Sequence, residues 1–172
     1  MLTLALLCAC AAGPATAAAV SIAPATIGDS LQRALKDKYG VDEAQDLEKA
    51  VAQSLARSLK GVGAEPGDTA PIRIEVLIDA ATPTHPTRRQ MSENPSLDYL
   101  ASISRGGAKL HAVLRNASGQ VLDHVAYDHY AYSIREASMS ASAWGDAYLA
   151  IDGFADQVAK AWQKLSAAKP AS

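Results

Sequence analysis

An α+β fold, with helices packed on one face of a small, twisted and mostly antiparallel sheet, is expected from three features of this chain. Residues 72–78 alternate apolar and polar side chains before going apolar, as a half-buried strand does. Two further strand-like runs flank Asn116-Ala117-Ser118-Gly119, a hairpin signal. Two amphipathic stretches, one before and one after these strands, repeat apolar residues at three- and four-residue steps.

The first element is short. Residues 20–27 alternate apolar and small side chains, and Pro24, which has no N–H to give a ladder, confines that strand to a sheet edge or ends its ladder early. Asp29 is the candidate N-cap of a helix over 30–39, in which Leu31, Ala34, Leu35 and Tyr39 share a face and which Gly40 stops. In the next helix Asp42 or Asp46 caps or charges the first turn. Leu47, Val51, Leu55 and Leu59 recur every four residues with Ala44 and Ser58 alongside, and Gly61 and Gly63 supply the exit.

Glu65-Pro66-Gly67-Asp68 reads as a turn before strand 72–78, whose Ile72, Ile74, Val76 and Ile78 point inward. The hairpin strands cover 109–114 and 121–132, with Gly119 at positive φ as the bulge residue that closes a type I turn. That register sets Ala112 opposite His124 and His111 opposite Val125, with Leu110, Leu114, Leu122 and Ala126 on the face of Ala112. A long C-terminal helix follows, capped near Ser140 or Ser142, with the stripe Trp144, Tyr148, Ile151, Ala155, Val158, Trp162 and Leu165. No repeat of 20–50 residues is visible.

Residues 1–19 are apolar and uncharged and end in small side chains, the pattern of an export signal. The core from Leu2 to Ala9 is shorter than the roughly 20 residues of a membrane span, Gly13-Pro14 breaks it, and Ala17 or Ala19 suits a cleavage site. No basic residue precedes the core, a departure from the usual leader. The expected division is a signal peptide over 1–19, one α+β domain over 20–167 and a tail over 168–172, in a protein exported to the periplasm. Leu7-Cys8-Ala9-Cys10 resembles the bacterial lipoprotein signal, apart from Cys8. That resemblance implies instead a signal over 1–9, an acylated Cys10 and a tether over 11–19, held to an outer membrane by about 0.8 kcal/mol per buried CH₂.

Both cysteines lie in that segment, so on either reading no disulfide staples the domain, and about 150 residues must fold by burial alone. The net charge is −2, from sixteen basic and eighteen acidic residues. With Arg88-Arg89 the one adjacent basic pair, the chain lacks the basic stripe of a nucleic-acid binder, and nucleic acid is excluded as a partner. The element order behind an N-terminal signal resembles small exported proteins and outer-membrane lipoproteins of Gram-negative bacteria, and is loosely similar to the N-terminal domain of the translocation protein TolB. The resemblance implies an accessory role in the envelope: binding another envelope protein or a cell-wall or membrane component, without an established activity.

Two stretches carry the candidate binding residues. Residues 82–107 form a connection long for a compact domain, stiffened by Pro83 and Pro86, with His85, Arg88 and Arg89 as its candidates. Asn94 and Pro95 start a helical turn there, which Leu97 and Leu100 are available to pin. The strand 121–132 gathers two histidines, two carboxylates and three tyrosines, of which Tyr127, His129, Tyr130 and Tyr132 are the candidates. Tyr127 lies on one face, Tyr130 and Tyr132 on the other.

A hydrolase or metal-dependent enzyme built from His111, His124, Asp128 and His129 is the alternative, and it requires these groups to converge. Alternation works against it: His124 and His129 point to opposite faces, and His124 and Asp128 stand about 13 Å apart at ~3.4 Å per residue. No metal site, cofactor or catalytic residue is therefore assigned, and the absence of His-Glu-x-x-His and Gly-x-Ser-x-Gly agrees with a non-enzymatic protein. Gly61 to Gly67 imitates a dinucleotide fingerprint but leaves a helix where the motif leaves a strand.

Overall fold

The computed structural model describes residues 18–67, 70–137 and 141–168, and the statements below concern those residues. Cys8, Cys10, Ala17, Asp68, Ser140 and the tail over 169–172 lie outside them. The chain forms a six-stranded open sheet covered on one face by helices, an α+β fold. The strands are β1 (Ala18–Ile22), β2 (Thr26–Ile27), β3 (Ala64–Pro66), β4 (Ile72–Thr82), β5 (Gly107–Asn116) and β6 (Val121–Tyr130). The helices are α1 (Asp29–Ala34, continued by a wider turn over Leu35–Tyr39), α2 (Glu43–Gly61), α3 (Arg88–Glu93) and α4 (Gly145–Ala168).

Strand order is β3-β1-β4-β5-β6, with β2 pairing with β4 beyond the end of β1. The antiparallel ladders β4–β5 and β5–β6 are long, while those of β1 with β3 and β4, and of β2 with β4, are parallel and only two or three residues long. The core lies between the sheet and the helices. Ile74, Val76 and Ile78 of β4 and Leu110, Ala112 and Leu114 of β5 are buried against Leu47, Val51, Leu55 and Leu59 of α2 and Ile151, Phe154, Val158 and Trp162 of α4. The two-residue spacing of Ile72, Ile74, Val76 and Ile78 in β4 and the four-residue spacing of α2 produce this directly, since each element offers one continuous apolar face.

Four expectations are corrected. Of the two alternatives for the strand starting at residue 20, the edge position is not taken, since β1 lies between β3 and β4, whereas its ladder with β3 does end early. Pro24 is tolerated because the ladder with β3 ends at Val20 and Pro66, while the preceding Ala23 N–H bonds to the Ile74 carbonyl of β4 at 2.9 Å. The segment read as a turn at Glu65-Pro66 is β3, three residues long and without an alternating pattern. Strands β4 and β5 also reach further than expected, to Thr82 and from Gly107, and Leu100 is exposed rather than pinning its segment.

The fourth correction concerns the hairpin register. The turn forms as expected, with Gly119 at φ +83° and its N–H bonded to the Asn116 carbonyl at 2.9 Å. A second irregularity follows: Arg115 pairs with Val121 but Leu114 pairs with Asp123, so Leu122 is an extra residue. A slip of one residue exchanges the faces of a strand. Ala112 therefore faces Val125 and His111 faces Ala126, and Leu122 and Ala126 turn to the outer face.

Candidate functional site

The end of α1 is where the site begins. The Gly40 N–H bonds to the Leu35 carbonyl at 2.7 Å, five residues back, so the last turn is wider than an α-turn and finishes on Gly40 at φ +111°. Tyr39 is carried inward, its ring meeting Trp144 edge-on with centroids 5.6 Å apart. The buried indole Nε1–H of Trp144 donates to Glu43 Oε2 at 2.6 Å, which ties the start of α2 to the start of α4.

The connection 83–106 completes the site. Thr87 caps α3 in a reciprocal box with Gln90, two orphan N–H groups satisfied at once. Thr84, His85 and Thr87 are buried. Thr84 anchors the segment through its N–H to the Ala143 carbonyl at 2.7 Å and through its hydroxyl, which accepts from the Asp146 N–H at 3.0 Å. The buried Asp146 carboxylate accepts the Gly106 N–H at 3.1 Å, so both ends of the excursion are clamped to the N-terminus of α4. His85 stacks on Tyr99 with centroids 4.9 Å apart, and Tyr99 donates its hydroxyl to the Ala141 carbonyl at 2.7 Å.

These contacts leave a cleft of about 460 Å³ between α1, α2, α3 and α4. Asp42, Glu43 and Asp46 stand on its α2 side and Arg88, Arg89 and Met91 on its α3 side, while Tyr39, Tyr99, Trp144 and Tyr148 supply aromatic walls. Arg89 is engaged: its guanidinium donates to Glu93 at 2.7 Å and to the Lys36 carbonyl, pinning α3 to α1. Arg88 is exposed and makes no ion pair among the described residues. Burial raises the Tyr148 pKa; its side-chain hydrogen bond with Ser142 opposes that shift, and Asp46 and Glu43 add to it. The cleft walls contain no histidine, lysine or cysteine, so what they offer is charge of both signs beside flat apolar rings.

The candidates from the sequence divide accordingly. Arg88 and Arg89 reach the cleft, whereas His85 lies beneath it, buried and bonded through Nδ1 to the Tyr99 carbonyl at 2.9 Å. Tyr127 and His129 point to the helix side of β6, rings 6.5 Å apart, with Tyr127 packed over Gly153. Tyr130 lies over Gly107 on the other side, its pKa raised by burial first and then by Asp128 and Tyr39, and Tyr132 is exposed. The strand residues thus stand apart from the cleft. His111 pairs with Asp79 at 2.7 Å, His124 and Asp128 share the outer face without meeting, and no cluster among the described residues could hold a metal ion. Missed by the sequence reading were Tyr39, Asp42, Glu43, Asp46, Tyr99, Trp144 and Tyr148 as one site; three carboxylates within five residues, more than a helix cap needs, are the signal that pointed there.

No family model matches the chain, and no curated protein matches it. Among solved structures it is similar to a crystal structure of a Xanthomonas campestris protein of family DUF330, at 11% identity and a TM-score of 0.50, over 90% of this chain and 93% of that one. That likeness shows a shared fold. PelC from Paraburkholderia phytofirmans, crystallised as a dodecamer, is similar at 10% identity and a TM-score of 0.41, over 81% and 84% of the two chains. A neuraminyllactose-binding hemagglutinin homolog from Helicobacter pylori follows at 10% identity and 0.38, over 87% and 85%. No helix among the described residues is long and apolar enough to cross a membrane.

Proposed function

We propose that this chain is a non-enzymatic binding protein of the bacterial envelope, exported to the periplasm, which holds a partner in the cleft between α2 and α3. The charge layout of the cleft carries the reading: a free, exposed Arg88 on one side, three carboxylates on the other and aromatic walls between. A partner suited to it is an envelope protein or cell-wall component with an acidic group for Arg88 and a basic group for Asp42 and Asp46. Export is supported by the apolar segment over 1–19 and its small-residue end.

Two measurements test the two halves. Intact mass after fractionation is expected to give a chain starting at Ala18 or Val20 in the soluble envelope. An acylated chain starting at Cys10 in the membrane fraction replaces this with the anchored form, and a cytoplasmic chain retaining Met1 overturns export. For the cleft, a photo-crosslinking residue at position 88 is expected to capture the partner in cells, while one at Lys60, exposed at the far end of α2, captures none. Arg88→Glu is expected to abolish the captured complex with an unchanged melting temperature, because an exposed unpaired side chain contributes little to stability. Equal capture at both positions would remove the cleft from consideration. Deleting residues 84–94 is no test of the cleft, since it removes the buried Thr84, His85 and Thr87.

A further inference from the structure

The two edges of the sheet are treated differently. On one side β3 is three residues long and ends in Pro66, the usual way of blunting an edge. On the other, β6 runs for ten residues with no proline, glycine or lysine, and its outward N–H and C=O groups have no strand beside them among the described residues. Its sequence from Asp123 to His129 is Asp-His-Val-Ala-Tyr-Asp-His, in which acid and imidazole exchange places about Ala126. We propose that β6 pairs antiparallel with β6 of a second copy of this chain, across a two-fold axis at Ala126, to form one continuous sheet.

Backbone direction restricts the register before charge is considered. The Ala131 N–H bonds to the Gly106 carbonyl on the β5 side, and the His124 N–H bonds to its neighbour Asp123 Oδ1 at 2.8 Å instead of to β5. Because direction alternates, the odd-numbered residues of β6 bond to β5 and the even-numbered ones face outward. A second β6 must therefore match even residues with even. Centring on Val125 would set Asp123 opposite Tyr127 and Leu122 opposite Asp128; centring on Tyr127 would set Val125 opposite His129 and His124 opposite Tyr130.

Centring on Ala126 sets His124 opposite Asp128, Asp123 opposite His129 and Val125 opposite Tyr127, so each carboxylate meets an imidazole. Within one chain none of these four groups has an ion pair among the described residues: across β5 they face Val113, Lys109, Leu114 and Ala108 without a salt bridge. The seam gains about six backbone hydrogen bonds from three outward-facing pairs, and His124 exchanges its bond to Asp123 for one to the partner's Asp128 carbonyl. On the helix side the groove beside β6 is lined by Val125, Tyr127, Gln157, Lys160 and Lys164.

Sedimentation equilibrium of the chain starting at Ala18, at pH 6, tests the assignment. The wild type is expected to be dimeric at about 200 µM. His124→Asp, which sets two carboxylates face to face at each end, is expected to raise the dimer Kd at least about tenfold, and Ala126→Lys, which brings two ammonium groups together on the axis, to do the same. The swap H124D/D128H restores each opposition and is expected to return Kd to within about threefold of wild type. A monomeric wild type, or single variants that leave Kd unchanged, overturns the interface. A swap that fails to restore dimerisation overturns the register and with it the proposal.

Discussion

Trp144 and Trp162 are both buried, yet their indole N–H groups meet different ends: that of Trp144 donates to Glu43 at 2.6 Å, and that of Trp162 has no partner among the described residues. A hydrogen bond to a charged group contributes about 1.5–3 kcal/mol, whereas an unsatisfied buried donor costs about 1–3 kcal/mol. Replacement by Phe leaves a similar void at both sites but removes a bond at one and a penalty at the other. Trp144→Phe is therefore expected to destabilise the protein by at least about 2.5 kcal/mol more than Trp162→Phe, read from urea unfolding followed by far-UV circular dichroism. Equal losses would mean that the bond to Glu43 contributes nothing net.

At the scale of single elements, the widened last turn of α1 controls how the cleft is walled. Gly40 holds φ +111°, a region an L side chain enters with strain, while a Cβ there would have ordinary contacts at 3.6 and 3.7 Å. The cost of Gly40→Ala is thus backbone strain alone, about 1–3 kcal/mol, and relief of that strain unwinds the turn and frees Tyr39 from Trp144. Gly61→Ala, at a helical position with open space around it, is expected to be neutral or stabilising by up to about 1 kcal/mol. Thermal unfolding of the two variants separates them. The same elements show what the sequence made readable. Strand β4 and helices α2 and α4 were legible because each repeats one period over many residues, and the Gly119 turn because its chemistry is local. Strand β3 was not, being three residues beside a proline, nor was the extra residue at Leu122, which sits next to the equally apolar Val121. The cleft escaped because Glu43 and Trp144 are distant in sequence and each already had a sufficient local role, in a helix's first turn or on an apolar stripe.

For the molecule as a whole, the first strand in sequence is an interior strand of the sheet, which links the export reading to the fold. Strand β1 starts at Ala18 and joins β3 to β4 through Ala18, Ala19 and Val20 on one side and Val20, Ser21 and Ile22 on the other. Cleavage after Ala17 leaves all three β3 pairings in place; cleavage after Ala19 removes Ala18 with its partner Ala64 and Ala19 with its partner Glu65, leaving β3 held by Val20 and Pro66 alone. Each lost ladder bond costs about 0.5–1.5 kcal/mol, so a chain starting at Ala18 is expected to exceed one starting at Val20 by roughly 1–2 kcal/mol. The loss is confined to one edge, because the β1–β4 ladder and the buried Val20 persist in both chains. Urea unfolding of the two chains should give the same denaturant slope and different midpoints, with hydrogen-exchange protection falling in β3 and not in β4. Equal midpoints would show that β3 adds nothing to the fold and that either cut leaves the domain equally stable.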